Sequence, residues 1–348
     1  MPPIFDLFVK EVKLIARRKS ILFFLIFIPL FFGAISSSYK SAVPGDTPVA
    51  IVLAENVSQD DVWAIMTLAR TFSNPHLVPN LTVALNGLQR EEYYVVIEVR
   101  KFGGLEAGEY VVYYDRTMNP VASISENLIR LLRIELKGAR IESAGINDKV
   151  SLPMFFLPGI LLFISMMVGF ELVADNTISE KNVFPRLRLA GVFTENFVVR
   201  VIIMPLLVLV QTLLVLIIYH LMNVKVSIDI GVVTILVLNT LLFSLLGLLV
   251  TMLLRFEPHA KTFLHVLMGF IIFISGLFYP VGFFPEVLQR IARLTPTYYS
   301  AVLMRAFMFR PGGVSLYFDY IAINVISVVL LSIVVLIVHG RALKWSVQ

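Results

Sequence analysis

Five polar or ionisable residues fall inside or at the ends of long apolar runs, and chemistry is to be sought there first: Glu171, Arg200, Gln211, Asn239 and His265. Such groups are expensive in hydrocarbon, so each is read as the partner of another buried group or as the lining of a path. Glu171 and Arg200 lie near the same boundary, where mutual pairing or snorkelling accounts for them. Gln211, Asn239 and His265 are the candidates for a translocation path. Gln211 and Asn239 sit deep enough either to line it or to hydrogen-bond between helices.

Other chemistries are excluded by what the chain lacks. The five histidines (His76, His220, His259, His265 and His339) include no i, i+4 pair and no H-E-x-x-H, so no metal site is expected. There is no G-x-x-x-x-G-K-[ST], so the chain itself binds no nucleotide through a P-loop; if ATP is used, another polypeptide holds it. The absence of cysteine removes disulfides, thiolate metal sites and cysteine nucleophiles. No nucleophile, base and orienting group come together in the pattern, so the chain does not read as an enzyme.

The elements that must position these residues are set by composition. Of 348 residues 58% are hydrophobic and 15% charged, and the mean hydropathy is +0.85. A water-soluble globule of that composition would lack charge for its surface, so the bilayer is the main solvent. Six predominantly apolar runs approach the length needed to cross about 30 Å of hydrocarbon. They are Ser20 to Ser37, Leu152 to Val173, Phe197 to Met222, Ile230 to Leu254, Phe263 to Phe284 and Tyr320 to Val338. The first reads as a retained helix rather than a cleaved signal, because a long patterned segment precedes it and no A-x-A site follows. That segment, 1–19, places Phe5, Phe8, Val9, Val12 and Ile15 on one face and Lys10, Lys13 and Arg17 on another, as an interfacial helix would.

The expected fold is therefore an all-α polytopic membrane protein of six transmembrane helices with an inserted extracytoplasmic α/β domain. Its parts are the interfacial helix (1–19), the first span (20–38), the α/β domain (39–150), and spans two to six (151–348) with a cytoplasmic connection at 178–193 and a re-entrant segment at 280–300. Within the inserted domain "PVAIVLA", "YYVVIEV" and "YVVYY" read as strands. Ser58 with Asp61 resembles a capping box opening a helix to about Phe72, and Asn119-Pro120 opens another to about Ile141. Residues 39–150 hold eleven Lys or Arg against fourteen Asp or Glu, so of the overall net charge of +5 the membrane part carries about +8. That bias favours anionic lipid or an acidic partner, and no aromatic-interleaved basic stripe suggests nucleic acid. Lys10, Lys13, Arg17, Arg18, Lys19, Lys181, Arg186, Arg188, Arg255, Lys261, Arg341 and Lys344 all fall on one side of a six-span arrangement. The positive-inside bias then puts both termini in the cytoplasm of a multi-pass plasma-membrane protein and residues 39–150 outside.

Two stretches stand out from the apolar runs. "ISEKNVFPRLRLAGVF" (Ile178 to Phe193) starts a short basic helix at Pro185, with Arg186 and Arg188 at the face and Leu187 and Leu189 free to insert into a groove. In "SGLFYPVGFFPEVLQRIARLTPTYYSAVLMR" (Ser275 to Arg305), Pro280 and Pro285 bracket a segment too broken to cross the bilayer. It is followed by a turn with Val287, Leu288, Ile291 and Leu294 inward. Such a segment is tolerated at membrane depth only where protein covers it.

The two stretches together resemble the type-2 ATP-binding-cassette (ABC-2 type) permeases, in the subgroup with a large outside domain between the first two spans. Glu180, Lys181, Pro185, Arg186, Leu187, Arg188 and Leu189 stand where that family couples to its ATPase. Gly276, Phe278, Pro280, Phe283, Phe284, Pro285 and Pro296 stand in its re-entrant gate, and Leu288, Tyr298 and Arg305 fill further places. Asn182 and Val183 depart from the usual Gly-Thr, Gly191 from a terminal proline, and Thr295 from a common asparagine. The resemblance implies the membrane subunit of an exporter. It would pair with a second permease chain as a homo- or heterodimer, and with cytoplasmic ATP-binding-cassette subunits that bind ATP and Mg while this chain binds no cofactor. The competing reading is an ion-coupled secondary transporter or channel, for which paired mid-membrane charges or glycine-broken helices in matching halves would be expected and are not evident.

Overall fold

The computed structural model describes residues 46–53, 59–101, 108–119, 138–224, 226–310 and 313–345, with single positions 9, 10, 13, 57, 122, 126 and 129. The expected first span (20–38) and most of the interfacial helix (1–19) lie outside the described residues.

The α/β unit is built on a five-stranded mixed sheet of order β2-β1-β3-β4-β5. Its strands are β1 (Pro48–Leu53), β2 (Asn74–Leu77), β3 (Val95–Lys101), β4 (Glu109–Asp115) and β5 (Arg140–Ile146). β1 runs parallel to both β2 and β3, β3 and β4 are antiparallel, and β4 and β5 are parallel. The central strands are apolar on both faces because both faces are covered. Val49, Ile51, Val95, Ile97 and Val112 meet Ile65 and Ala69 of α1 (Gln59–Arg70), together with Ile129. Ala50, Val52 and Val96 meet Ala84 and Leu88 of α2 (Leu81–Gln89), whose Asn80 cap accepts a hydrogen bond from the Val83 amide at 2.9 Å. The second expected helix does not extend to Ile141: positions 119, 122, 126 and 129 are helical, but the chain has entered β5 by Arg140.

Beyond residue 150 the protein is helical. α3 (Leu152–Met167) passes through a π turn (Val168–Leu172) into α4 (Val173–Ser179), and the short α5 (Phe184–Leu189) follows. α6 (Phe193–Leu221), α7 (Ile230–Leu253), α8 (His259–Ile274), α9 (Glu286–Ala292), α10 (Pro296–Phe309) and α11 (Phe318–Trp345) complete the chain. Among the described residues four helical stretches are long and apolar enough to cross a membrane: Leu152–Ser179, Phe193–Leu221, Ile230–Leu253 and Val314–Gly340. The expected span at 263–284 is a continuous helix only through the 16 residues of α8. Gly276, in the left-handed conformation at φ +71°, ends that direction of travel.

α7 is the hub, packing against α3, the π turn, α6, α8, α10 and α11. Hydrophobic transfer does not drive helix association in lipid, so close approach of small residues matters more. A Cβ placed on Gly169 in the π turn would lie 2.8 Å from the Phe243 Cβ and 2.9 Å from the Ser244 nitrogen, while Gly247 backs onto the Gly169 and Phe170 carbonyls. The π turn and α7 thus cross almost backbone to backbone.

Candidate functional site

At the end of the helical bundle distal to the sheet, α5 is a six-residue helix fixed by one side chain and one turn. Phe184 is buried and meets Phe193, Phe197 and Phe256 edge-on at centroid distances of 5.3, 5.6 and 4.9 Å. Its C-terminus closes with a Schellman pair, Val192 N–H to the Leu187 carbonyl and Gly191 N–H to the Arg188 carbonyl, both 3.0 Å, with Gly191 at φ +70°. Pro185 occupies the first turn of α5, where its missing N–H costs nothing.

The residues expected to couple divide into two groups. Glu180 is buried: its carboxylate accepts from Arg200 Nη2 at 2.6 Å and from Lys10 Nζ at 2.9 Å. Lys10 also donates to Asn196 Oδ1 at 3.0 Å, and Arg200 Nη1 to Thr177 Oγ1 at 2.9 Å. Glu180 therefore ties the N-terminal segment, the end of α4 and α6 together. Leu187 and Arg188 also turn inward, Leu187 against the bundle core and the Arg188 guanidinium 5.3 Å from the Phe193 ring. Arg186 and Leu189 face out, Leu189 with 91% of its surface exposed. The expectation that Leu187 and Leu189 insert together is corrected, because successive helical positions about 100° apart put Leu187 on the bundle side.

Lys181 begins a ladder of polar contacts to α8 and the connection before it: the ion pairs Lys181–Glu257 at 2.5 Å and Asp175–Lys261 at 2.6 Å, and a Glu171–His265 contact at 2.7 Å. Arg200 and Glu171 therefore do not pair with each other, as sequence position had suggested. His265 is drawn to this half-exposed ladder. Asn239 is fully buried, donating to Ser165 Oγ at 2.5 Å between α7 and α3, and Gln211 is buried on α6.

At the sheet-bearing end the expected gate residues are spread along a turn-rich cover. Phe278 packs near Phe156 and Phe163 of α3 (6.5 and 6.3 Å), and a Cβ on Gly159 would come within 2.4 Å of the Leu277 carbonyl. Pro280 precedes a single 3₁₀ turn (Val281–Phe283), Pro285 caps α9, and Pro296 opens α10. Phe283 meets Tyr94 of the α/β unit at 5.7 Å, and Phe284 stacks on Phe273 at 5.5 Å. Of the expected inward face Leu288 and Ile291 pack against the core, whereas Val287 on α9 and Leu294 beyond its end are exposed, and Gln289 and Ala292 are buried instead. The Gln289 amide turns inward because it donates to the Asp46, Gly282 and Phe284 carbonyls at 3.0, 3.2 and 2.8 Å.

A cluster of which the sequence singled out only Arg305 holds the sheet to this cover. Arg305 donates to both oxygens of Glu91, and Arg310 bridges Glu91 (2.9 Å) and Asp115 (2.8 Å), all four side chains being almost wholly buried. Burial pushes the Glu91 carboxyl up, but Arg305 and Arg310 outweigh it and hold it below its ordinary value. Glu91 stands at φ +58° directly after the α2 cap, where glycine is the usual residue. No local sequence signal reports this role.

A small sheet unit on a bundle of apolar helices long enough to cross a bilayer is the architecture of a multi-pass membrane protein. The chain belongs to the ABC-2 family: the family model described as "ABC-2 family transporter protein" matches residues 19–339. It is thus a multi-pass membrane permease of the ATP-binding-cassette class. No curated relative matches it.

Proposed function

We propose that the chain is the permease subunit of an exporter, moving substrate outward across the cytoplasmic membrane on ATP hydrolysed by a separate nucleotide-binding subunit. In this reading two permease chains assemble, α5 docks on the ATPase in the cytoplasm, and the sheet unit lies outside with the Ser275–Phe309 cover as the outer gate. Six spans with both termini inside complete the topology, and Gln211 and Asn239 lie along the path.

The observation that supports this most is the construction of α5. A six-residue helix cannot hold itself together by backbone hydrogen bonding alone. Here Phe184, the Schellman turn and the Glu180 node fix it from within, leaving Arg186 and Leu189 presented to solvent. A rigid basic and apolar knob fits an acid-lined cleft, and force on it would pass through Glu180 and Arg200 to α6 and through Lys181 and Glu257 to the α7–α8 connection.

The test is Arg186→Glu combined with Leu189→Asp in the full chain, reconstituted with its cognate ATP-binding-cassette subunit. Like-charge apposition in the cleft should abolish association or the stimulation of hydrolysis by transport, with membrane insertion intact. If the double variant assembles and transports at the unmodified rate, coupling does not run through α5.

A further inference from the structure

Where the sheet unit meets the start of α11, an open cavity of about 370 Å³ lies between β2, the approach to β3, the α9–α10 turn and the first turns of α11. Its size is that of a small-ligand pocket, typically about 300–1,000 Å³. Three polar tips lining it have no hydrogen-bond or ion-pair partner among the described residues: the His76 ring, the Tyr93 hydroxyl and the exposed Arg293 guanidinium. Burial and the neighbouring Arg293 lower the His76 pKa, so its ring is neutral and Arg293 is the cation of this wall.

The other wall has the opposite sign. Glu92 and Asp319 share one guanidinium, Arg90, at 2.9 and 2.5 Å, which leaves an excess of one negative charge. Arg90 lies 4.5 Å from the Tyr320 ring centroid, and Tyr299 meets the same ring edge-on at 4.9 Å. The Tyr299 hydroxyl donates to the Arg293 carbonyl at 2.7 Å, which fixes the distance between the walls. An unpaired guanidinium facing surplus carboxylate and aromatic faces suits a dipolar ligand. Its anion is held by charge-assisted hydrogen bonds, and its cation by the surplus carboxylate. Asp319 and Tyr320 belong to the first turn of a membrane-length helix, so the cavity opens at the depth where tyrosines gather and lipid headgroups lie.

We propose that this cavity binds a phosphodiester carrying an ammonium group, the headgroup chemistry of a zwitterionic phospholipid. The phosphate lies on Arg293 with Tyr93 donating to it, and the ammonium lies against the carboxylate oxygens of Glu92 and Asp319 that Arg90 leaves uncontacted. The site is independent of the direction of transport and of the identity of any ATPase.

The experiment measures binding of dihexanoyl-phosphatidylethanolamine, dihexanoyl-phosphatidylglycerol and glycerophosphoethanolamine to the detergent-purified full chain by calorimetry. The ethanolamine lipid should saturate a single site, bind about tenfold tighter than the glycerol lipid, and lose about tenfold in Arg293→Gln, as expected for a charged hydrogen bond. Arg293 has no partner to lose, so that variant should fold. Asp319→Asn should narrow the preference for the ethanolamine lipid over the glycerol lipid. If glycerophosphoethanolamine binds as tightly as the lipid, the same site serves a soluble ester; if it binds far more weakly, the ligand is lipid. Equal binding of the two lipids by the unmodified chain, or unchanged affinity in Arg293→Gln, overturns the proposal.

Discussion

Arg305 and Glu91 form a bidentate pair almost wholly buried from solvent: Nε reaches Oε1 at 2.8 Å and Nη2 reaches Oε2 at 2.7 Å, across 214 residues of sequence. One partner belongs to the α/β unit and the other to α10, so the pair fixes how the sheet sits on the helices. Arg305 also donates to the Gly276 carbonyl at 3.1 Å, so the same guanidinium holds the turn that ends α8. A buried pair is weak evidence for net stability, because desolvation offsets the attraction. It does make the arrangement intolerant of losing either member.

Glu91→Gly tests this against a local advantage. Glycine would relieve the left-handed backbone at φ +58°, worth roughly 1–2 kcal/mol. It would also leave Arg305 uncompensated in the interior, and stranding one member of a buried pair costs about 3–5 kcal/mol. The expected outcome is a net fall in thermal unfolding temperature of the purified protein. A rise would mean that the backbone term dominates and the clasp contributes little.

Acid should loosen the clasp only at unusually low pH. The Glu91 carboxyl is held below its ordinary value, so its contribution is fully present above the unfolded value of about 4.3 and is lost as pH falls through the lower folded value. The phenols of Tyr94 and Tyr298 beside it are pushed up by burial and stay neutral throughout. Unfolding temperature should therefore show no Glu91-dependent change between pH 8 and 5. In Arg305→Leu one opposing cation is gone and the acid-induced loss should begin at higher pH. Identical acid profiles for the two proteins would contradict this assignment.

The elements most legible in the sequence were those whose composition serves one purpose. Strands β1, β3 and β4 are β-branched or aromatic runs with no competing pattern, and the long apolar helices need only length and hydropathy. Strand β2, Asn74–Leu77, carries a proline and a histidine. It sits at the sheet edge, where pairing to β1 rather than propensity makes it a strand. Strand β5 was hidden because Arg140–Ile146 has one strongly apolar position buried, Ile141, and the preceding helix pattern ran into it. At the candidate site Pro185 and Gly191 mark the bounds of α5 in sequence. Which of its leucines turns inward depends on Phe184 entering an aromatic cluster formed from α6 and the α7–α8 connection. The Glu91 clasp was not legible, since nothing local to Glu91 distinguishes a surface carboxylate from one awaiting two arginines.

The crossing at Gly169 should resist even a methyl group. The nearest atoms to a new Cβ include the Ser244 backbone nitrogen at 2.9 Å, which cannot rotate away as a side chain could. Overpacking of a close contact typically costs about 1–3 kcal/mol. Gly169→Ala should lower the unfolding temperature and Gly169→Val should lower it further. Gly269, which has open space around its Cβ position, should tolerate alanine as the control. Equal tolerance at the two glycines would mean that the π turn and α7 do not cross this closely.

Helix α8 should be the most easily displaced part of the bundle, because polar pairs hold one side of it while much of the rest is uncovered. Phe263, Val266, Phe270 and Phe273 are all more than half exposed, and the buried positions are few: Ala260, Leu264, Met268 and Ile274. Its registration against the π turn and α4 rests on Glu171–His265 and Asp175–Lys261, extended by Lys181–Glu257. These pairs are partly exposed, so each contributes little alone and salt weakens them; their value is in fixing register. Since the native chain has no cysteine, Leu264→Cys provides a single reporter at a position only 2% exposed. Maleimide labelling there should be slow, and it should accelerate in the Asp175→Lys background, where Lys261 faces a like charge, and in the unmodified background at high salt. Charge restoration with Lys261→Asp should slow it again. If labelling at Leu264 is the same with and without Asp175→Lys, the ladder does not hold α8, and packing of the buried positions alone sets its place.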